Sequence, residues 1–238
     1  MLTEEQLQHF YREGYLVVPG LVPQESIQAV LQAAPPGITT GERWRPSTFD
    51  HQNPLENAKL HRLLIEPNLI AAAADIFSMP PRVYYGMLAV VPAYGGHGLP
   101  WHQDNQYDQL VGGGAINMFI ALSDITPEKA ILWVAPRSHL LGTQPSTANE
   151  TTAPGHREAV VEPENGIPLP AMKSGDVCIF DRNMLHRSLH NETDEHRFAY
   201  AVQYAAENAR RSATGQKDPL WPLATDLQKM WLDSGVLD

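Results

Sequence analysis

Gly175-Asp176-Val177-Cys178-Ile179-Phe180-Asp181-Arg182-Asn183-Met184-Leu185-His186 reads as a turn, a short buried strand, a polar turn and a histidine that emerges as the chain leaves the core. Similar apolar, β-branched or aromatic segments occur at Val83–Val91, Ile116–Leu122, Ile131–Val134 and Arg197–Tyr204, separated by Gly, Pro, Asp or Asn. Short strands with polar connections suggest a sandwich or barrel rather than a parallel doubly wound sheet.

The chain upstream of these strands has a different texture. Thr3 and Gln6 form a capping-box pattern, with Leu7, Phe10 and Tyr11 on one helical face. Gly14 ends that helix and a strand follows at Tyr15–Val18. A second helix is expected from Gln24 to Ala34, stopped by Pro35-Pro36-Gly37. Further helix is expected between about Leu60 and Phe77, split at Pro67. The tail from Pro219 carries Trp221, Leu227, Met230 and Trp231 and reads as a final helix. One domain is therefore expected over residues 1–238: a mainly helical part to about 80, a β core at about 81–206, and a helix at about 219–234. Residues 139–172 form a long Pro/Thr/Glu-rich excursion, of a kind that often serves function.

The bulk numbers narrow the function classes. Of 238 residues, 43% are hydrophobic and 18% charged, an ordinary globular composition. No apolar run is long enough to span a bilayer, and the N-terminus lacks a basic-then-apolar leader, so the cytoplasm is the expected location. A net charge of −10 disfavours a nucleic-acid partner. A basic pocket from Arg43, Arg45, Arg137 or the Arg210-Arg211 pair is an open alternative to solvated surface charge. The single cysteine, Cys178, excludes an internal disulfide and a multi-thiolate zinc site, and is expected to be a small buried hydrophobe.

Chemistry concentrates at Pro100-Trp101-His102-Gln103-Asp104. In extended chain, alternate side chains share a face, so His102 and Asp104 can offer two neighbouring metal ligands. His186 supplies a third, with His190 as the competing donor. The order His186, Ser188, Arg197 favours His186. Two histidines and one carboxylate on one face of an octahedron leave the opposite face free, the arrangement of non-haem Fe(II) oxygenases. The free positions suit a bidentate 2-oxo acid and then O2. Arg197 opens the strand Phe198–Val202 and offers a planar fork that matches the far carboxylate of 2-oxoglutarate. Ser188 shares a face with His186 and can donate to the same carboxylate.

Trp-His-Gln-Asp at 101–104, Ala121-Leu122-Ser123-Asp124, Pro136-Arg137-Ser138-His139, Gly175-Asp176 and His186-Arg187-Ser188 with Arg197 together resemble the phytanoyl-CoA dioxygenase family. The opening Phe10–Val18 resembles that family's start. The resemblance implies a double-stranded β-helix (jelly-roll, cupin-like) core with flanking helices. It implies Fe(II) held by His102, Asp104 and His186, and 2-oxoglutarate held by Arg197 and Ser188. It further implies hydroxylation of a small organic substrate with release of succinate and CO2. With Asp104 as the carboxylate ligand, no position is left for chloride, so hydroxylation is favoured over halogenation. The chain departs from the family pattern at Glu128-Lys129-Ala130 and at Arg137, where the family commonly has glycine.

Other assignments stay open at this point. Tyr84 or Tyr85 can offer a hydroxyl to 2-oxoglutarate. Trp101 and Tyr107 either line a pocket or pack. His97, His139, His156 and His196 are read as surface or loop-packing groups, and Asp124 and Asp176 as turn residues. Two rival functions remain on the same fold: a cupin-like isomerase or hydrolase, and a ligand-binding sensor.

Overall fold

The computed structural model describes residues 1–35, 47–96, 98–150, 156–213, 215 and 221–237. Arg43, Arg45, His97 and the start of the proposed tail helix at Pro219 lie outside the described residues.

Helix α1 (Glu4–Glu13) begins as its sequence dictates. Thr3 accepts from the Gln6 backbone, and the Gln6 side chain accepts from the Thr3 backbone. It ends at Gly14, whose φ of 83° is left-handed and whose N–H donates to Phe10. A Cβ at Gly14 would lie 2.2 Å from Nδ1 of His139, so glycine is required there for space as well. Helix α2 spans Gln24–Ala33. Pro67 divides the next helical region into a 3-10 turn at Arg62–Ile65 and α3 (Pro67–Phe77), with Pro67 in the first turn of the helix. Helix α4 is Ala224–Ser234. None of the described helices is long and apolar enough to cross a membrane.

The larger sheet comprises β1 (Tyr15–Val18), β2 (Ser47–Thr48), β3 (Pro81–Val91), β6 (Ala115–Ala121), β11 (Val177–Asp181) and β13 (Arg197–Ala206). Their spatial order is β1-β11-β6-β13-β3-β2, and each pair is antiparallel. The smaller sheet comprises β4 (Leu99–His102), β7 (Leu132–Val134), β10 (Ile167–Pro168) and β12 (His186–Ser188), ordered β10-β7-β12-β4. Two ribbons, β5 (Leu110–Val111) with β14 (Arg210–Arg211) and β8 (Ser146–Asn149) with β9 (His156–Ala159), complete a jelly roll. The long excursion thus contains a hairpin, β8–β9, and the edge strand β10.

Both faces of the larger sheet are covered, which is why its strands read as near-continuous apolar runs. Ile116, Met118 and Ile120 of β6 face the helices, joining Ile27, Val30, Leu64, Leu69 and Trp231 in one core. The alternate residues Phe119 and Ala121 face the smaller sheet and pack with Leu132, Val134, Cys178 and Phe180. Each such aliphatic side chain contributes about 1.5–3 kcal/mol on burial. Asn117, between these rows, points the same way as Phe119. An amide in a fully buried strand must have a partner there, and this one leads to the functional site.

The two departures from the family pattern have a backbone consequence. Ala130 (φ 52°) and Arg137 (φ 70°) both adopt left-handed conformations, the region that favours glycine. The chain keeps the turns and accepts the strain.

Candidate metal centre

His102 ends β4 and His186 opens β12, and the two are direct cross-strand partners. Their ring centroids lie 4.1 Å apart. Asp104 is not in the strand, as the alternation argument assumed. Gln103 keeps an extended conformation (φ −120°, ψ 137°), and Asp104 then opens a 3-10 turn, Asp104–Gln106. The extended residue preserves the shared face while the turn carries the chain away from the sheet edge. The ligand atoms of His102, Asp104 and His186 lie within 4.8 Å of one another, the only such group among the described residues. His190 does not take part: its Nδ1 faces the Gly96 carbonyl.

The donor set is oriented for a cation. Nδ1 of His102 donates to the Pro100 carbonyl at 2.8 Å, and Nδ1 of His186 to the Met184 carbonyl at 3.0 Å. Those bonds fix the tautomer and turn both Nε2 lone pairs inward. The Asp104 Oδ2 accepts from Asn117 at 2.8 Å and from Gln203 at 3.1 Å. Its Oδ1 lies 3.8 Å from Nε2 of His186. Burial alone would raise the Asp104 carboxyl, but His186, His102, Arg182 and the Asn117 amide outweigh it and hold the group below its ordinary value. Burial, aided by His186, drives His102 down, so the imidazole is neutral, the form able to ligate a metal. All three side chains are buried, at 4%, 9% and 5% exposure. The residues present fit a first-row metal with two nitrogen ligands and one oxygen ligand.

Gln103, fully buried between His102 and Asp104, ties this segment to the rest of the site. Its amide donates to the carbonyls of Gly142 and Asn183 and accepts from the Gln144 backbone. It thereby couples the His102/Asp104 segment to the turn that delivers His186.

Arg197 is 6% exposed, and its guanidinium lies 5.4 Å from the centre of the Phe119 ring. Nη1 donates to the Ala130 carbonyl at 2.9 Å, and Nε is buried with no partner. Burial pushes this guanidinium down to about 10, so it remains a cation at neutral pH. Ser188 is the cross-strand partner of Leu132, which packs in the same inner cluster as Phe119. Paired residues share a face, so Ser188 and Arg197 both border the space between the sheets.

The open assignments divide cleanly. Tyr84 donates to Asp108 at 2.9 Å and is thereby occupied. Tyr85 is the cross-strand partner of Gln203, and burial with the nearby Asp104 charge pushes its phenol up to about 12. Its hydroxyl meets only the weak acceptor Sδ of Met87, at 3.1 Å. Trp101 packs away from the metal centre, with Ala135, Ala159 and Leu185. Tyr107 sits edge-on to His102 at 6.3 Å and hydrogen-bonds His156 and the Arg157 backbone, pinning the β8–β9 hairpin beside the site. A cavity of about 500 Å³ lined by Leu140, Leu141, Val160 and Val161 contains no member of the triad. Asn117, Gln203 and Gln103 were missed by sequence reasoning, although the first two are lone amides inside strongly apolar strands, a signal that could have exposed them.

Comparison with known proteins agrees with this architecture. The phytanoyl-CoA dioxygenase family model matches residues 10–199. An ectoine dioxygenase of Nocardia farcinica is 25% identical over 79% of this chain and 73% of its own length. An L-proline trans-4-hydroxylase of Streptomyces griseoviridis is 24% identical over 81% of this chain and 82% of its own. Among solved structures, the epimerase SnoN, in complex with Fe3+, α-ketoglutarate and nogalamycin RO, superimposes with a TM-score of 0.73 at 20% identity. That match covers 93% of this chain and 98% of SnoN. The family match spans His102, Asp104, His186 and Arg197, and the chain belongs to the phytanoyl-CoA dioxygenase family, the non-haem iron, 2-oxoglutarate-dependent oxygenases.

Proposed function

We propose that this chain hydroxylates a small organic molecule, with Fe(II) held by His102, Asp104 and His186 and 2-oxoglutarate anchored by Arg197 with help from Ser188. The observation that carries the reading is a buried guanidinium without a carboxylate partner among the described residues, sharing one compartment with a ready-made two-histidine, one-carboxylate donor set. When bound, the metal supplies oxygen activation coupled to breakdown of 2-oxoglutarate into succinate and CO2.

The protein's own part is positional. The Pro100 and Met184 carbonyls hold both imidazoles in the metal-binding tautomer. Asn117 and Gln203 occupy Oδ2 of Asp104, leaving Oδ1 as the ligand atom. Arg197 matches the far carboxylate of the co-substrate with two parallel donors, a geometry lysine cannot reproduce. Phe119 and the apolar cluster around it keep water from that ion pair, which strengthens it. The relatives bear different activities in their names, so family membership does not set the molecule oxidised.

Anaerobic loading with Fe(II) and 2-oxoglutarate, followed by O2, should give succinate, and His102→Ala should abolish it. No succinate from wild-type protein, with or without candidate substrates, would favour a non-oxidative metalloenzyme. Succinate formation that survived His102→Ala would remove the triad from the mechanism.

A further inference from the structure

Arg182 is a second buried guanidinium beside the metal centre; its charge helps hold the Asp104 carboxyl down, but nothing in the reaction described so far uses its remaining donors. It is 4% exposed. Its Nη2 donates to the backbone carbonyl of Asp104 at 3.1 Å, while Nε and Nη1 are buried without an acceptor. Its guanidinium lies 4.3 Å from the centre of the Tyr84 ring, and no carboxylate among the described residues comes within ion-pair distance of it. Asp104, the acid whose charge it feels, is already engaged by two amides and by the metal position. Arg187 offers a useful contrast. Its Nε is also unpartnered, but its guanidinium is sandwiched between Trp101 and Trp133 at 4.8 and 4.7 Å. Arg182 has one aromatic face, and beside its remaining donors only the Tyr84 hydroxyl, which already donates to Asp108, so the guanidinium keeps capacity for a further acceptor.

Strand β6 shows where that acceptor would sit. The Arg182 N–H donates to the Ala115 carbonyl, the Asn117 amide to Asp104, and Arg197 lies over Phe119. Alternate residues of a strand are about 6.6 Å apart. The two buried guanidiniums therefore flank the metal centre, Arg197 towards the Phe119 end and Arg182 towards the Ala115 end. Of the two carboxylates of 2-oxoglutarate, one belongs at Arg197 and the other chelates the metal, so an oxyanion at Arg182 must come from another molecule.

We infer that Arg182 binds an oxyanion of the substrate, which makes the substrate a compact organic acid held on the side of the metal centre opposite 2-oxoglutarate. The inference rests on the function proposed above. Compactness follows from the contact with the backbone of Asp104: an acid group held there is separated from the metal by the span of one residue, so the oxidised carbon lies only a few bonds from it. Tyr84, Trp221, Leu110 and Ala205 pack together at that end, so the wall beside Arg182 is apolar. Asp108 adds no free acid, being engaged by Tyr84 and Arg211.

The test uses full-length protein loaded with redox-inert Mn(II) and saturating 2-oxoglutarate. It is titrated calorimetrically with free L-amino acids and short 2-hydroxy acids, each beside its primary amide. At least one acid should bind tenfold or more tightly than its amide. Arg182→Gln should erase that preference, Arg182→Lys should retain part of it, and affinity for 2-oxoglutarate should change less than tenfold in both, the allowance reflecting the contact of Arg182 with Asp104. The inference is overturned if no acid outbinds its amide in wild-type protein, a comparison independent of how the variants fold. It is overturned too if Arg182→Gln keeps the preference, or if that variant instead loses tenfold or more in 2-oxoglutarate affinity, which would assign Arg182 to the co-substrate. Failure of wild-type protein to take up Mn(II) and 2-oxoglutarate before any acid is added is a separate result, and it would sink the proposed function itself.

Discussion

Replacing Arg197 by methionine should have two effects that a structural role could not produce together. In the ligand-free protein the guanidinium is 6% exposed, with one hydrogen bond, to Ala130, and an unpartnered Nε. Methionine removes an unsatisfied buried donor, worth about 1–3 kcal/mol, and strands the Ala130 carbonyl at a similar cost. The two nearly cancel, so the stability of the ligand-free variant should stay within about 2 kcal/mol of wild type. With 2-oxoglutarate the balance differs, because loss of one partner from a buried ion pair costs about 3–5 kcal/mol. Affinity should therefore fall between about a hundredfold and a few thousandfold. Thermal or denaturant unfolding with Mn(II), with and without 2-oxoglutarate, reads both effects. At a hundred times its dissociation constant the ligand should stabilise wild-type protein by about 2.7 kcal/mol, and this increment should vanish in Arg197→Met. A variant that kept the increment, or that lost metal and most of its stability without ligand, would refute the assignment of Arg197 to the co-substrate.

Three further outcomes are expected. Asn117→Leu and Gln203→Leu each remove a donor to Oδ2 of Asp104, and each should weaken metal binding roughly 10–100-fold, measured by competition with a chromophoric chelator. Unchanged affinity in both would show that Asp104 needs no support. His61, buried against the Tyr200 hydroxyl, is pushed down by burial from 6.5 to about 4. The native state then binds fewer protons than the unfolded chain between those values. Stability should be full above pH 6.5 and fall by about 3 kcal/mol as pH drops towards 4, with His61→Gln flattening that part of the profile in denaturant titrations. Arg137→Gly relieves a left-handed backbone (φ 70°) at an exposed position and should raise stability by about 0.5–1 kcal/mol; a loss would show that the arginine side chain holds this loop.

Most of the fold was legible because the chain announces its boundaries locally. Thr3, Gly14 and Pro67 act on their own neighbours, and the structure places helix ends at each of them. The larger sheet was legible as apolar runs, since both of its faces are covered. The smaller sheet was legible in part: Ile131–Val134 and the segment ending at His102 read as extended and are β7 and β4, whereas β10 and β12, two and three residues long, lie below any periodic signal and are held by partners distant in sequence. The site divides the same way. His102, Asp104, His186 and Arg197 are rare residue types at informative spacing. Asn117 and Gln203 stand out in the sequence as lone amides in apolar strands, but they and Arg182 gain a common partner only when β6, β13 and the turn after β11 converge on Asp104.

That convergence is enforced from the far side of the sheet. A slip of one residue in β12 would send His186 outward. A three-residue strand has little hydrogen bonding with which to resist this. Resistance comes from its outward residue, Arg187, the cross-strand partner of Trp133, whose guanidinium is stacked between the rings of Trp133 and Trp101. Trp101 immediately precedes His102, and Arg187 immediately follows His186. With the outward neighbours Trp101 and Arg187 stacked ring against guanidinium, alternation leaves each histidine only the inward direction, opposite the other. Gln103 applies the same constraint along the chain, joining the ligand segment to the carbonyl of Asn183 just ahead of β12. The geometry of the metal centre is thus a consequence of strand register, set by aromatic–cation packing and one buried amide, none of which faces the metal.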